Sequence, residues 1–259
     1  MFRTAIFILI FNCLSISLCM ADELVFVTLD NTPQAYFEDG KVTGFLADIV
    51  TEAARRAGYE STVLIVPWKR ALAMVEKGSA DAIFNAGYTE QRNKFMRYPN
   101  NILITEKIIA LRKTGSKSYL GYDLKGADKY VVGVGRGFFY GQRIQDAFDR
   151  GIFRRVEEVP NIDLNVKKLL LGRIDFLLAD YYPVMKFLSD NRLMDQVEPI
   201  LSPETGLPVI FSESNTYLAF SRKKKTPAFN SVNKELERMI EDGSYNEIIA
   251  KYIPADKVF

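Results

Sequence analysis

The feature that most constrains the fold of this chain is a repeated alternation of short β-rich runs with longer amphipathic runs. The first series predicts strands at 24–28, 61–66 and 80–84, separated by helices at 46–57 and 68–76. A second series predicts strands at 130–134, 156–159 and 176–179 and helices at 138–150, 164–171 and 183–189. Each series has the order β-α-β-α-β, which is typical of a mostly parallel sheet covered by helices. The sequence therefore predicts an α/β protein built from two similar units.

The last part of the chain follows a different pattern. It predicts a strand at 216–221, a long amphipathic helix at 227–242 and a short helix at 245–252. No low-complexity linker separates the two units. We therefore expect the chain to cross between them more than once, as in hinged two-lobed proteins.

The N-terminal segment predicts export. Arg3 gives a positively charged start, residues 5–18 are almost wholly apolar, and small side chains precede the first acid, Asp22. This pattern is typical of a secretory signal peptide at residues 1–21 that is cleaved after Ala21, and it predicts a periplasmic protein. Two alternatives are a lipoprotein acylated at Cys19 and an uncleaved membrane anchor.

The composition of the chain excludes several kinds of catalytic and metal-binding site. Both cysteines, Cys13 and Cys19, lie inside the predicted signal peptide, and the chain has no histidine. Disulfides, Ser-His-Asp or Cys-His catalysis, and sites built on cysteine or histidine metal ligands are therefore excluded from the mature chain, and we expect no cofactor and no metal. Without Arg3 the chain keeps 33 of its 34 basic residues against 32 acidic ones, a net charge of about +1. This balance argues against a nucleic-acid partner.

An ordered set of motifs resembles the family 3 extracellular solute-binding proteins, the substrate-binding proteins of polar amino acid ABC transporters. The motifs are Gly44-Phe45 with Asp48, Gly78-Ser79-Ala80-Asp81-Ala82-Ile83, Thr89-Glu90-Gln91-Arg92, Gly172-Arg173-Ile174-Asp175, Asp180 and Asp242-Gly243-Ser244-Tyr245. The resemblance implies a two-lobed periplasmic-binding-protein fold of type II, with two hinge crossings and the ligand in the cleft between lobes. Lobe 1 is then expected at 22–110 plus 212–259, and lobe 2 at 111–211.

The same resemblance implies a function without chemistry. We expect a monomer that captures a small zwitterion, an amino acid or related amine or carboxylate, for an ABC permease or a membrane sensor kinase. The alternative is a periplasmic dehydratase of the cyclohexadienyl dehydratase type, with Glu157, Glu158 or Glu204 as its acid. The non-catalytic module of a cell-wall lytic enzyme is not expected, because the sequence ends at Phe259 without a catalytic domain.

Arg92 and Asp180 are the candidate charged groups of the ligand site. Thr89 is a good N-cap for a helix that starts at Glu90, and Arg92 in its first turn offers a two-pronged clamp for a carboxylate. Asp180 follows an apolar strand, at the strand end where open α/β sheets bind ligands. In the resembled family, the position of Arg92 binds the ligand's α-carboxylate and the position of Asp180 binds its α-ammonium. The alternative for Arg92 is a solvated helix arginine, and the alternative for Asp180 is a simple helix N-cap.

Aromatic residues and glycine-containing loops complete the candidate site. Trp68 is either an apolar wall of the pocket or a core residue, and Tyr36 with Phe37 lies where the family often places an aromatic lid. In two segments this sequence lacks the hydroxyl side chains that the family has in its loops. The backbone N–H donors of these segments remain, but the pocket is expected to be less polar. These segments are Asn85-Ala86-Gly87 and the Gly135–Tyr140 loop, including Gly137 and Phe138.

Overall fold

The computed structural model describes residues 22–224 and 227–253. The predicted signal peptide at 1–21, with its cleavage site, lies outside the described residues. The strands are β1 (Glu23–Thr28), β2 (Tyr36–Glu38), β3 (Lys41–Thr43), β4 (Glu60–Ile65), β5 (Ala82–Gly87), β6 (Met96–Arg97), β7 (Ile104–Lys113), β8 (Val131–Gly135), β9 (Arg155–Val159), β10 (Phe176–Asp180), β11 (Val197–Pro199) and β12 (Ser212–Ser221). The helices are α1 (Phe45–Arg56), α2 (Trp68–Lys77), α3 (Glu90–Asn93), α4 (Gln142–Asp149), α5 (Ile162–Leu170), α6 (Tyr181–Asp190), α7 (Ala228–Glu241) and α8 (Ser244–Ala250).

Two parallel units are joined by two long antiparallel strands. The main path of the sheet has the order β4-β1-β5-β12-β7-β10-β8-β9. Strands β4, β1 and β5 pair in parallel, as do β10, β8 and β9, which confirms the two predicted parallel units. Strand β12 pairs with β5 through its C-terminal half and with β7 through its N-terminal half, while the C-terminal half of β7 pairs with β10. Both long strands therefore cross from one unit to the other.

Each unit has its own apolar core. We call the unit built on β4, β1 and β5 lobe 1, and the unit built on β10, β8 and β9 lobe 2. Helices α1, α7 and α8 contribute to one core cluster of lobe 1, so the end of the chain packs on the unit where the chain begins. On α1 the predicted apolar face is buried, with Ile49, Val50 and Ala53 fully inaccessible to solvent. Lobe 2 holds two clusters, one on each face of its strands.

Most predicted elements are confirmed within a few residues, but the structure also differs from the prediction. No strand was predicted at β2, β3, β6, β7 or β11, and β12 begins four residues before the predicted start at 216. The helix predicted from 138 begins at Gln142, because the aromatic residues before it form a loop and the chain turns at Gly141 with φ of 77°. Tyr140 in this loop is buried, and its hydroxyl oxygen accepts a hydrogen bond from the Gly135 N–H at 2.6 Å.

The start of α1 fixes the backbone of Gln34. The Gln34 carbonyl accepts hydrogen bonds from the N–H groups of Leu46 and Ala47, at 2.9 and 3.3 Å. Gly44 permits this close approach, since it has φ of 119° and a Cβ there would lie 2.5 Å from the Gln34 oxygen. The helix end thus holds Gln34 in a position from which its side chain reaches lobe 2.

Within the part of the chain that the structure covers, no helix combines the length and the apolar character needed to cross a bilayer.

Candidate functional site

A cavity of about 60 Å³ lies between the lobes, where the two long strands cross. Its wall draws on lobe 1, lobe 2 and strand β7. The residues used below are Trp68, Asn85, Gly87 and Arg92 from lobe 1, Phe138, Tyr140 and Asp180 from lobe 2, and Glu106 with Ile108 from β7. Such a volume holds a few water molecules.

Arg92 is held rigidly on the lobe 1 wall. Thr89 is the N-cap of α3, as predicted, and its Oγ1 accepts a hydrogen bond from the Arg92 N–H at 3.1 Å. Arg92 is 8% exposed, so the alternative of a solvated arginine is wrong. Its Nη1 donates to the Gly87 carbonyl at 2.8 Å, and its Nη2 donates to the Gly137 carbonyl of lobe 2 at 2.9 Å. Burial lowers the pKa of Arg92, but a guanidinium stays charged in proteins and has five N–H donors, of which these bonds use two.

Asp180 lies on the opposite wall, at the end of β10. It occupies the N-cap position of α6, but its side chain makes no capping hydrogen bond. Its Oδ2 instead accepts from Gln34 Nε2 at 2.9 Å, and its Oδ1 accepts from the Lys107 backbone N–H at 3.0 Å. Burial raises the pKa of Asp180 to about 7. The carboxyl group lines the cavity in a desolvated setting.

A polar network beside Asp180 was not found by sequence reasoning. Asn85 Nδ2 donates to Gln34 Oε1 at 2.7 Å and to Glu106 Oε1 at 3.0 Å. Burial, and then the negative charge of Asp180, raise the pKa of Glu106 well above its usual value. Glu106 lies on β7, a strand that was not predicted, and Asn85 entered only as part of a departure from the family pattern. That departure was the one available signal, because it placed a polar residue directly after the strand predicted at 80–84.

Trp68 joins the two lobes. Its Nε1 donates to the Gly137 carbonyl at 3.1 Å, and its ring meets the Phe138 ring edge-on with centroids 6.3 Å apart. The Arg92 guanidinium carbon lies 5.5 Å from the Trp68 ring centroid, within cation–π range. Trp68 is 6% exposed and also belongs to a lobe 1 core cluster, so it is both a core residue and part of the cleft wall.

We expect the fluorescence of Trp68 to report on opening of the cleft. Trp68 is the single tryptophan of the sequence, so the whole indole signal comes from this position. Separation of the lobes would break the hydrogen bond from Trp68 to the Gly137 carbonyl and expose the indole ring to water, which shifts emission to longer wavelength. A ligand that closes the cleft would reverse this shift. A titration followed by emission spectra measures this, with Trp68→Phe as the blank. Emission that stays constant while calorimetry detects binding would contradict the expected opening and closing of the cleft at Trp68.

The predicted aromatic lid is not at the cavity. Tyr36 and Phe37 lie on the β2–β3 hairpin, and the described cavity wall includes neither residue. Phe37 is 66% exposed. In this part of the chain it is Gln34, just before the hairpin, that approaches Asp180.

The lobe 2 loop also differs from expectation. Since α4 begins at Gln142, the N–H groups near Phe138 are not the start of a helix. The Phe138 N–H donates to the Gly135 carbonyl at 3.2 Å, and the Arg136 N–H donates to the Val159 carbonyl at 2.8 Å. The loop thus offers the Gly137 carbonyl and the Phe138 ring to the cleft, while two of the backbone donors that we expected, the N–H groups of Arg136 and Phe138, bond within lobe 2.

The acids expected for the dehydratase alternative do not reach the cavity. Glu157 pairs with Lys168 and Arg155 on the outer strand of lobe 2, and Glu204 lies in an exposed turn. The described cavity wall includes neither of these residues nor Glu158, and its acidic side chains are Glu106 and Asp180. Within residues 22–224 and 227–253, no group of three or more His, Cys, Asp or Glu side chains is arranged to hold a metal ion.

The sequence was compared with known protein families and proteins. Residues 24–255 match the family described as bacterial extracellular solute-binding proteins, family 3. The L-cystine-binding protein TcyJ of Escherichia coli (strain K12) is 25% identical over 224 residues, which are 85% of this chain and 77% of the relative.

Two solved structures resemble the fold. One is the arginine-, lysine-, histidine-binding protein ArtJ of Geobacillus stearothermophilus, with a TM-score of 0.72, 20% identity, and coverage of 89% of this chain and 94% of ArtJ. The other is a histidine kinase sensor domain with similarity to periplasmic binding proteins, with a TM-score of 0.75, 17% identity, and coverage of 90% and 96%. These likenesses confirm the predicted two-lobed α/β fold of type II.

Proposed function

This chain belongs to the bacterial extracellular solute-binding proteins of family 3, and from that premise we propose that it captures a small zwitterion, an amino acid or related compound, between its lobes. The ligand is bound and released unchanged, so the protein is not an enzyme. The relatives support this, because TcyJ and ArtJ are both named as binding proteins for amino acids.

One observation carries the proposal: Arg92 and Asp180 come from different lobes and line the same cavity. The guanidinium supplies paired donors for a carboxylate, and the carboxylate of Asp180 accepts from an ammonium. A zwitterion that contacts both groups binds the closed form better than the open form, and this difference in affinity is what drives closure.

The neighbouring residues have supporting roles in this proposal. Thr89 and the Gly87 carbonyl orient Arg92, and Trp68 with Phe138 supplies apolar walls. The Gly137 carbonyl links the lobes by accepting from both Arg92 and Trp68. Lobe boundaries at 22–110 plus 212–259 and at 111–211 are supported by the two long strands, which cross near these positions.

Location and partner follow from the family. We propose a periplasmic monomer, exported through residues 1–21, that delivers its ligand to an ABC permease or to a sensor kinase. The binding-protein relatives fit the first partner and the sensor-domain likeness fits the second. A permease gene or a kinase gene beside this one distinguishes them.

A thermal-shift screen tests the proposal. We expect at least one amino acid to raise the melting temperature, because a ligand at 100 times its Kd stabilises the native state by about 2.7 kcal/mol. Each active compound is compared with its N-acetyl and amide derivatives, which lack the ammonium and the carboxylate charge. Both derivatives should lose the shift. No shift with any amino acid or related amine would contradict the proposed ligand class.

A further inference from the structure

Glu106 is an acidic side chain of the cleft that the proposed function leaves without a role. Strand pairing sets Asp180 opposite Ile108, so Glu106 lies two residues away on β7, on the same face of the strand as Ile108. Glu106, Ile108 and Asp180 all line the cavity. Two carboxyl groups therefore share one end of the cleft.

Asn85 has an unpaired acceptor at the same end of the cleft, which is an independent observation. Its Nδ2 donates to Gln34 and to Glu106, which fixes the orientation of the amide. Its Oδ1 is buried and accepts no hydrogen bond from the residues that the structure describes. Asn85 is 9% exposed and lines the cavity. A buried acceptor without a donor destabilises the protein, and an N–H donor of a ligand would satisfy it.

The backbone of Asn85 is also unusual. It has φ of 60° inside β5, where the pairing with β12 shifts between Tyr217 and Ala219. Left-handed residues other than glycine and irregular strand pairing cluster at functional sites, where they direct a side chain. Here the irregularity directs the Asn85 amide into the acidic end of the cleft.

The charges around Glu106 do not balance. The titratable groups that face it are Asp180 from β10, Arg92 from α3 and Tyr140 from the loop after β8. Strand β12 places Ser214 opposite Glu106. If both carboxyl groups ionise, two negative charges meet the single positive charge of Arg92, which already donates to two backbone carbonyls. With both groups ionised, this end of the cleft is left one positive charge short.

We propose that Glu106 and the Asn85 Oδ1 atom form a second cation subsite beside Asp180, which takes an additional ammonium or guanidinium group of the ligand. The inference rests on the proposed function, since it assigns the ligand's carboxylate and first ammonium to Arg92 and Asp180. With a neutral zwitterion, a proton on Glu106 supplies the missing charge. A ligand with a second cation displaces that proton, so its advantage increases as pH rises.

Calorimetric titration with matched ligand pairs tests the subsite. The pairs are diaminopropionate and alanine, diaminobutyrate and aminobutyrate, ornithine and norvaline, and lysine and norleucine. At one chain length or more, we expect the diamino compound to bind at least about tenfold more tightly at about pH 8, and this ratio to fall by up to about tenfold per pH unit on acidification, the limit for one displaced proton. Glu106→Gln should reduce the ratio to near one.

Glu213→Gln is the matched control, because Glu213 is exposed on the neighbouring strand β12. A ratio near one at every length and pH, or a ratio that survives in Glu106→Gln, overturns the subsite while monoamino binding still supports the proposed function. Absence of binding by all eight compounds also overturns the subsite, whereas the thermal-shift screen with all amino acids decides the proposed function.

A measurement without ligand tests the same subsite separately. The pKa of Glu106 is raised in the folded protein, so the associated stability is present at low pH and is lost as pH rises through the folded value. Glutamine cannot ionise, so we expect the melting temperature of Glu106→Gln to fall less than that of wild type as pH rises above the ordinary range of a glutamate pKa. Identical pH profiles of the two proteins would overturn the inference whatever the ligand.

Discussion

Replacement of Arg92 by alanine should weaken binding of a zwitterionic ligand by about 30- to 5,000-fold. Loss of one partner of a buried charge pair costs about 2–5 kcal/mol, because the opposite charge is left desolvated and unpaired. Arg92 is 8% exposed and lies on the wall of the cavity, so the ligand's carboxylate finds little water there to replace it. Calorimetric titration of wild type and variant with the compound that gives the largest thermal shift measures the change.

Two further variants separate binding from folding. Arg92→Lys keeps the charge but not the planar fork, so it should recover only part of the affinity. Arg154→Ala removes an exposed arginine of lobe 2 and should leave the Kd unchanged. Circular dichroism confirms that each variant is folded. An Arg92→Ala protein that is folded and binds with wild-type affinity would remove Arg92 from the site.

Replacement of Asp180 by asparagine should reduce affinity by a similar factor and should not lower stability at neutral and higher pH. The ligand's ammonium loses its charged partner, at a cost of about 2–5 kcal/mol. Burial raises the pKa of Asp180 to about 7, so the stability linked to its protonated form is lost as pH rises through that value. Asparagine does not ionise, and the variant avoids this loss. Melting temperatures across this pH range, measured beside the Kd, test both parts.

Asp190→Asn is the matched control for this experiment. Asp190 lies at the other end of α6, where it pairs with Lys186 on the surface. We expect this variant to bind as wild type does and to show the wild-type pH profile. If Asp180→Asn loses affinity together with stability at all pH values, the residue has a structural role in lobe 2 and not the proposed contact with the ligand.

The elements that the sequence predicted well are those with a regular apolar pattern. On α1 the residues Ile49, Val50 and Ala53 repeat at helical spacing, and all three are buried. Strand β7 has no such pattern in its first half, where Thr105, Glu106 and Lys107 interrupt the apolar residues. A strand that lines a polar cleft needs polar side chains, so the pattern used to find strands fails at the site itself.

The sequence by itself determined the two parallel α/β units, the return of the chain end to lobe 1, the family, and the positions of Arg92 and Asp180. Only the tertiary structure decided that Gln34 meets Asp180, 146 positions later in the chain, and that Asn85 joins Gln34 to Glu106. The physical reason is that local spacing specifies helices and strands, whereas hydrogen bonds across a cleft depend on the order of strands in the sheet. The two long crossing strands set that order, and they bring together polar groups that no short sequence motif contains.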